Sequence, residues 1–397
     1  MTKVLENLLY DRKKIFNIIQ KNGPLSKQGI QLLANFKLTT LNRIINDLLS
    51  KELIIEDSFG ESTGGRKPIL YNVNSTKFYI LGIDISRTYT QVVITNLRMQ
   101  ILKENRFFAD EGYSSKKILH HIVEVIDKLF NELSISKEQV LGIGISLVGP
   151  LDREKGIMLI PINFNAENWN EISFKKELED IYKLPLTIDN GANAAVLAEY
   201  YYGSGKGFDN IAYINCGVGI RTGTITSGRI IRTINDREDA FGHMVIDIDG
   251  KRCYCGNKGC VESYASIPSI VKEFKGELIR GKLSLLNKSL EEITYLDVFN
   301  ACSHGDTTSK EVIANAALVF GTALSNYINL LNPQLIILSG PIINNSEFYY
   351  MISTETALKK VNSKNASVKF SKGGFFKEYA MAVGAAALVV ENSLNQQ

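Results

Sequence analysis

Three cysteines and a histidine stand close together in a chain of 397 residues that holds only five cysteines and four histidines. The stretch opens as Ala240-Phe241-Gly242-His243 and closes as Cys253-Tyr254-Cys255-Gly256-Asn257-Lys258-Gly259-Cys260-Val261-Glu262. The thiolates of Cys253, Cys255 and Cys260 and the imidazole of His243 make the four N/S ligands that a tetrahedral structural Zn²⁺ takes, and Gly256 and Gly259 let a tight loop fold back on it. No position is left for a water, so the spacing predicts a closed structural zinc that shapes a pocket, not a catalytic ion. Reduced, buried cysteines beside an unrelated histidine are the competing reading, but compact Cys-x-Cys-x4-Cys spacing rarely arises from packing alone. Cys216 and Cys302 lie far apart in the sequence, which argues against a disulfide framework.

A second set of side chains suits nucleic acid. Thr39, Thr40, Asn42, Arg43 and Asn46 fall on one side of a helical repeat running from about Thr39 to Ser50, opposite Leu41, Ile44, Ile45, Leu48 and Leu49. Such polar side chains reach base edges and phosphates when a helix enters a major groove. Two shorter segments precede it. Arg12 to Lys21 has apolar residues at helical spacing and is stopped by Asn22-Gly23-Pro24, and Ser26 can cap a short helix carrying Ile30, Leu32 and Leu33. Two strand-like runs follow, Leu53 to Glu56 and Ile69 to Val73, joined by a polar hairpin with Gly64-Gly65-Arg66-Lys67-Pro68. Three helices and two strands predict a winged helix-turn-helix over residues 1–73. Arg66 and Lys67 on its glycine-freed tip can lie against the DNA backbone or in the minor groove. Charge agrees: residues 1–72 hold eleven Lys/Arg against seven Asp/Glu, or +4, leaving 34 against 35, or −1, for the rest.

The remaining elements read as α/β. Tyr79 to Thr88 and Gln91 to Thr95 are buried strands, a helix is expected from about Ser115 to Leu133, and Val140 to Ser146 is a further strand before Leu147-Val148-Gly149-Pro150. Strands recur after Leu184 and at Pro333 to Gly340, so two related halves are expected. Ala314 to Leu331 and the stretch around Met381 to Leu388 read as helices of core or subunit contact. No apolar run approaches the ~18–20 residues of a membrane span, and the first residues lack a signal peptide's apolar core, so a soluble, cytoplasmic chain without a membrane partner is expected.

These motifs resemble the ROK family of sugar kinases and transcriptional repressors on the two-lobed, actin-like ATPase fold. The Gly-His and Cys-x-Cys-x4-Cys-x-Glu knuckle and the Gly-Gly-Arg-Lys-Pro wing are similar to the family's repressor branch, and the likeness spans nearly the full length. The implied organisation is a winged helix over 1–73, a first α/β lobe over 74–190, and a second, zinc-containing lobe with an oligomerisation surface over 191–397.

Departures from the kinase pattern fall on its working residues. Family kinases open with Asp-x-Gly-Gly-Thr, where backbone amides approach phosphate; this chain reads Asp84-Ile85-Ser86-Arg87-Thr88. A second phosphate loop, Gly-Thr-Gly-Ile-Gly-Gly-Gly in relatives, is Gly217-Val218-Gly219-Ile220-Arg221-Thr222-Gly223. Arg87 and Arg221 are therefore candidate anion contacts. The general base of Asn-Asp-Ala-Asn is missing, because Gly191 takes its place in Asp189-Asn190-Gly191-Ala192-Asn193; such a base contributes roughly 10²–10⁴ in rate. Ala240 replaces the glutamate of Glu-x-Gly-His. The sugar-facing set that the resemblance carries over is Asn163, Asn190, His243 and Glu262.

The resulting expectation is a sugar-responsive repressor without kinase activity. It would bind double-stranded operator DNA as a homodimer or dimer of dimers and respond to a sugar or sugar phosphate. The alternatives are an active or bifunctional ATP-dependent sugar kinase with an attached DNA-binding domain, and a regulator controlled by a partner protein.

Overall fold

The structure is a computed structural model that describes residues 4–61, 67–108, 114–159, 169, 172–232, 241–362 and 367–395. Contacts divide the chain into one unit of residues 1–202 with 379–397 and another of residues 203–378.

The first unit begins with α1 (Tyr10–Asn22), β1 (Leu25–Ser26), α2 (Lys27–Ala34) and α3 (Leu38–Ser50), followed by β2 (Ile54–Phe59) and β3 (Ile69–Val73). The strands form a small antiparallel sheet in the order β1-β3-β2. This is the expected winged helix. Ser26 caps α2, its Oγ accepting from the Gly29 amide at 3.1 Å. Ile15, Phe16 and Ile19 of α1 pack with Ile30, Leu41, Ile44, Ile45 and Leu48 as buried core. Leu49 is only half-buried, and Leu32 and Leu33 face solvent, because a helix of eight residues can turn only one narrow stripe inward.

The winged helix is tied to the α/β part of its own unit. Gln20 Nε2 donates to the Leu97 carbonyl at 3.2 Å, and Arg98 pairs with Asp57 at 2.8 Å. Lys21 Nζ lies 3.1 Å from Glu391 Oε2 and 3.3 Å from the centre of the Tyr201 ring. Burial holds the Lys21 pKa below the usual lysine value even though the Glu391 charge and hydrogen bond pull it upward.

The α/β part contains β4 (Tyr79–Ile85), β5 (Tyr89–Asn96), β6 (Ile101–Phe108), α4 (Ser115–Leu133) and β7 (Val140–Leu147). It continues through the short pair β8 (Leu151–Asp152) and β9 (Ile157–Met158) to α5 (Phe174–Tyr182), β10 (Leu186–Asn190) and α6 (Gly191–Tyr202). Its sheet has the order β10-β7-β4-β5-β6, with β4-β5 and β5-β6 antiparallel and β7 parallel to both β4 and β10. Every residue of β7 is buried, as befits an interior parallel strand.

The second unit repeats that plan with β11 (Ile211–Cys216), β12 (Ile220–Thr226) and β13 (Arg229–Ile230), then α7 (Glu262–Ala265), α8 (Ile267–Ile279), α9 (Tyr295–Ser303) and α10 (Thr307–Leu331). It is completed by β14 (Leu335–Ser339), α11 (Pro341–Asn345), α12 (Glu347–Lys360) and β15 (Lys369–Lys372). The order β13-β12-β11-β14-β15 matches the first sheet strand for strand, so the expectation of two related halves holds.

One boundary moves. The sequence reading began the second lobe at residue 191, but α6 and the last helix, α13 (Ala380–Asn395), belong to the first unit. The cause is close packing of α13 on β4 and β7. A Cβ on Gly82 would stand 2.0 Å from the Ala382 carbonyl oxygen, and one on Gly144 would stand 1.7 Å from that of Ala385. Only glycine lets the helix backbone sit that near the strands. No helix among the described residues is long and apolar enough to cross a membrane.

Candidate ligand site and metal centre

In the second unit, the turn Cys253 to Cys260 folds back as the glycines dictate: Gly256 has φ +94° and Gly259 has φ +72°, and the Cys253 amide donates to the Asn257 carbonyl at 2.8 Å. The four expected metal-ligating atoms, from His243, Cys253, Cys255 and Cys260, all lie within 4.8 Å of one another. Cys253 Sγ is 3.6 Å from His243 Nδ1, and Cys255 Sγ is 3.7 Å from Cys260 Sγ. Tetrahedral ligands at Zn–S ~2.3 Å and Zn–N ~2.0–2.1 Å would be separated by about 3.5–3.8 Å. The donor set and spacing therefore fit a four-coordinate ion, which would bond His243 through Nδ1 and leave Nε2 as a proton-bearing donor.

That Nε2 faces the rest of the site. It lies 3.2 Å from the Tyr254 hydroxyl, whose ring meets the imidazole edge to face with centroids 5.3 Å apart. Beside it, Glu262 sits at the start of α7 with its carboxylate buried. Glu262 Oε2 accepts from the Ile220 amide at 2.7 Å and from Arg221 Nη1 at 2.7 Å. Arg221 also donates from Nη1 to the Ile220 carbonyl at 3.0 Å and from Nη2 to the Tyr254 hydroxyl at 3.3 Å. Burial alone would raise the Glu262 pKa. The Arg221 charge, the Ile220 amide and the Tyr254 hydroxyl outweigh it and hold the carboxyl below its usual range.

Arg221 thus does meet an anion, but it is the protein's own Glu262. The expected phosphate loop is a tight hairpin here: the Gly217 amide donates to the Gly219 carbonyl at 3.0 Å, and Cys216 of β11 pairs with Ile220 of β12. Arg87 is half-buried in the turn between β4 and β5.

In the first unit, β10 delivers Asp189 and Asn190 to the start of α6. Asn190 Oδ1 accepts from the Asn193 amide at 2.8 Å and so caps α6, the turn-forming role that amides favour. Asp189 is buried. Its Oδ1 accepts from the Asn190 amide at 2.8 Å and Asn193 Nδ2 at 3.0 Å, while Oδ2 lies 3.6 Å from Arg153 Nη1. At Gly191, a Cβ would stand 2.9 Å from Met381 Sδ, so a thioether occupies the space into which a side chain there would extend. Asp84 is also buried, accepting from the Ser146 hydroxyl at 2.6 Å.

Of the side chains expected to face DNA, Thr39, Arg43 and Asn46 are exposed on α3, Thr40 and Asn42 are half-buried, and Lys67 is exposed. Arg66 and Asn163 lie outside the described residues, as does Ala240. The residues that sequence reasoning passed over are Tyr254, Arg153 and Met381. Tyr254 carried a usable signal, because a residue between two ligand cysteines is presented at the tip of the knuckle; Arg153 and Met381 carried none, being brought in by folding from far along the chain.

Comparison with known proteins gives one family. The sequence profile of the ROK family matches residues 80–392. A xylose repressor of Bacillus subtilis is 27% identical over 385 residues, covering 97% of this chain and 96% of its own. The DNA-binding transcriptional dual regulator NagC of Escherichia coli is 25% identical over 386 residues, covering 96% and 92%. Among solved structures, a ROK family transcriptional regulator homologous to the E. coli MLC protein superposes with a TM-score of 0.80 at 24% identity, covering 99% of this chain and 97% of that one. A ROK family glucokinase from Streptomyces griseus superposes with a TM-score of 0.66 at 23% identity and covers 78% of this chain and 98% of its own.

Proposed function

Because the chain belongs to the ROK family, we propose that it is a transcriptional repressor whose DNA affinity is set by a carbohydrate ligand, and that it has no sugar-kinase activity. The observation that carries this reading is the winged helix: α3 turns Thr39, Arg43 and Asn46 to solvent while its opposite face is core. An exposed polar helix of this kind, with Lys67 exposed just before the wing's second strand and Arg66 preceding it in sequence, suits a major groove and its flanking phosphates. The relatives that match the full length, this segment included, are named repressors and a DNA-binding regulator. One winged helix reads a half-site, so the working form is a homodimer or a dimer of dimers on double-stranded operator DNA. The site of action is the cytoplasm.

The carbohydrate is recognised in this reading by His243 and Glu262, with Asn190 and Asn163 as further contacts. His243, Cys253, Cys255 and Cys260 hold a structural Zn²⁺, which fixes the imidazole and the loop leading to Glu262. The ligand acts by binding two states of the protein with different affinity. Three features support the absence of kinase activity in this reading: Gly191 offers no base, the sulfur of Met381 crowds that position, and Asp189 is held by Asn193 and Arg153.

The test is fluorescence polarisation of the purified full chain with DNA from upstream of its own and neighbouring genes, across a salt series and a panel of pentoses, hexoses, amino sugars and their phosphates. Tight, salt-sensitive binding reversed by one sugar supports the reading. DNA binding that no sugar alters removes the ligand half of it, and ATP consumption over the same panel removes the claim of inactivity.

A further inference from the structure

The groups assigned to sugar hydroxyls are already engaged. A hydroxyl held by an imidazole N–H and a carboxylate accepts from the first and donates to the second. The Tyr254 phenol already sits on the first of these groups: its oxygen is 3.2 Å from His243 Nε2 and accepts from Arg221 Nη2 at 3.3 Å, and Arg221 in turn donates to the Glu262 carboxylate. Arg221 completes the arrangement from the other side, its Nη1 lying 2.7 Å from the same carboxylate oxygen that takes the Ile220 amide.

We propose that Tyr254 and Arg221 are a built-in occupant of the ligand site, the phenol taking the place of a ligand hydroxyl on His243 and the guanidinium that of one on Glu262, so that a polyhydroxylated ligand binds by displacing them. This rests on the sugar-site reading given above and deepens it by naming the residues that set its affinity. Three features fit the role. The Tyr254 side chain is 47% exposed, so the ring leaves by rotating into solvent without opening the core. Its backbone is fixed between two metal-ligating cysteines, so the ring swings about a fixed point. Glu262, by contrast, is 4% exposed and stays in place to receive the incoming hydroxyl. The ligand class is a neutral sugar or polyol that presents one hydroxyl able to bridge imidazole and carboxylate. A weakened affinity for sugar is the consequence, because each ligand competes with an internal network.

Calorimetry on the purified full chain and on Tyr254→Phe and Arg221→Gly, with D-xylose, D-glucose, N-acetyl-D-glucosamine and their phosphates, tests it. Tyr254→Phe is expected to bind at least one neutral sugar roughly tenfold tighter or more, the scale of one hydrogen bond to a charged group. Equal or weaker binding of every sugar that the parent binds overturns the proposal. Loss of sugar-phosphate binding in Arg221→Gly, with Tyr254→Phe unaffected, overturns it in favour of a direct anion contact at Arg221. Since Arg221→Gly leaves a buried carboxylate unpaired and can fail to fold, histidine ¹⁵N NMR supplies a ligand-free check. The His243 Nε2–H is slow to exchange in the parent and fast in Tyr254→Phe if the phenol is seated on it, and unchanged exchange overturns the proposal. A seated phenol with no sugar bound by any variant instead overturns the sugar-site reading, and the occupant with it.

Discussion

The buried carboxyl of Asp84 makes a pH-dependent stability that a single substitution should remove. Burial raises its pKa from the usual 3.8 to about 6, against the Ser146 and Tyr89 hydrogen bonds and the Arg106 charge, which all favour the ionised form. The unfolded chain releases this proton near 3.8 and the folded chain near 6, so between those values the folded state holds more protons. Stability therefore falls as pH rises through that window and stays low above it. A separation of about two pH units at ~1.4 kcal/mol each amounts to ~3 kcal/mol at pH 8. Asp84→Asn keeps an oxygen for the Ser146 hydroxyl and never ionises. At ~2–4 °C per kcal/mol for a domain of this size, its melting temperature should exceed the parent's by roughly 5–10 °C at pH 8. By the same linkage the gain should shrink to about half at pH 5. Calorimetric melts of both proteins at the two pH values decide the matter. An Asn variant that is less stable at pH 8, or a gain equal at both pH values, would refute the argument that desolvation dominates at Asp84.

Other expectations concern the metal, the internal ion pair and the anchoring of the winged helix. Removing metal with a chelator, or replacing Cys255 by Ser, should expose Cys253 and Cys260 to thiol reagents and lower the melting temperature, with re-addition of Zn²⁺ reversing the chelator effect; thiols that stay equally protected after chelation would show that packing alone holds the knuckle. Arg221→Ala strips the buried Glu262 of its cation and should destabilise the fold by ~3 kcal/mol, with Glu262→Gln in the same chain restoring most of it, as read by denaturant unfolding. Glu391→Gln leaves the Lys21 ammonium facing the Tyr201 ring without a counter-charge, and should cost ~1–3 kcal/mol and speed amide hydrogen exchange in α1, whereas unchanged exchange would mean the pair does not anchor the winged helix.

Much of this molecule was legible in the sequence because its signals are local. The α3 stripe, the Ser26 cap and the Cys-x-Cys-x4-Cys turn each arise within a dozen residues; the cap and the turn form as read, and the stripe does so through Leu41, Ile44, Ile45 and Leu48, with Leu49, Thr40 and Asn42 half-buried. What stayed hidden depends on distant segments. The lobe boundary was misplaced because α13, nearly two hundred residues beyond α6, packs in the first unit through Gly82 and Gly144, and no periodicity announces that. The sequence makes Arg221 a candidate contact for an external anion because its position resembles a phosphate loop. Its neighbour in the structure, Glu262, lies 41 residues away and is brought in by the knuckle.

The same contrast bears on how such a site changes its chemistry. Asp84, Asp189 and Glu262 are each buried, and each is held from within its own unit: Asp84 by Ser146, Asp189 by Asn193 and Arg153, Glu262 by Ile220 and Arg221. A carboxylate that takes a proton from a substrate must present a free lone pair to it. Asp189 and Glu262 instead have internal donors in place, and displacing one would leave a buried charge or a buried cation unpaired, at a cost of several kcal/mol, while Asp84 is engaged through one oxygen by Ser146. Glu262 and Asp189 each combine a backbone amide, of Ile220 and Asn190, with a part-exposed guanidinium, of Arg221 and Arg153, while Asp84 takes the Ser146 hydroxyl. At Glu262 a ligand hydroxyl can take the place of the Arg221 guanidinium, an exchange of one hydrogen-bond partner for another that suits recognition and reversal better than it suits catalysis.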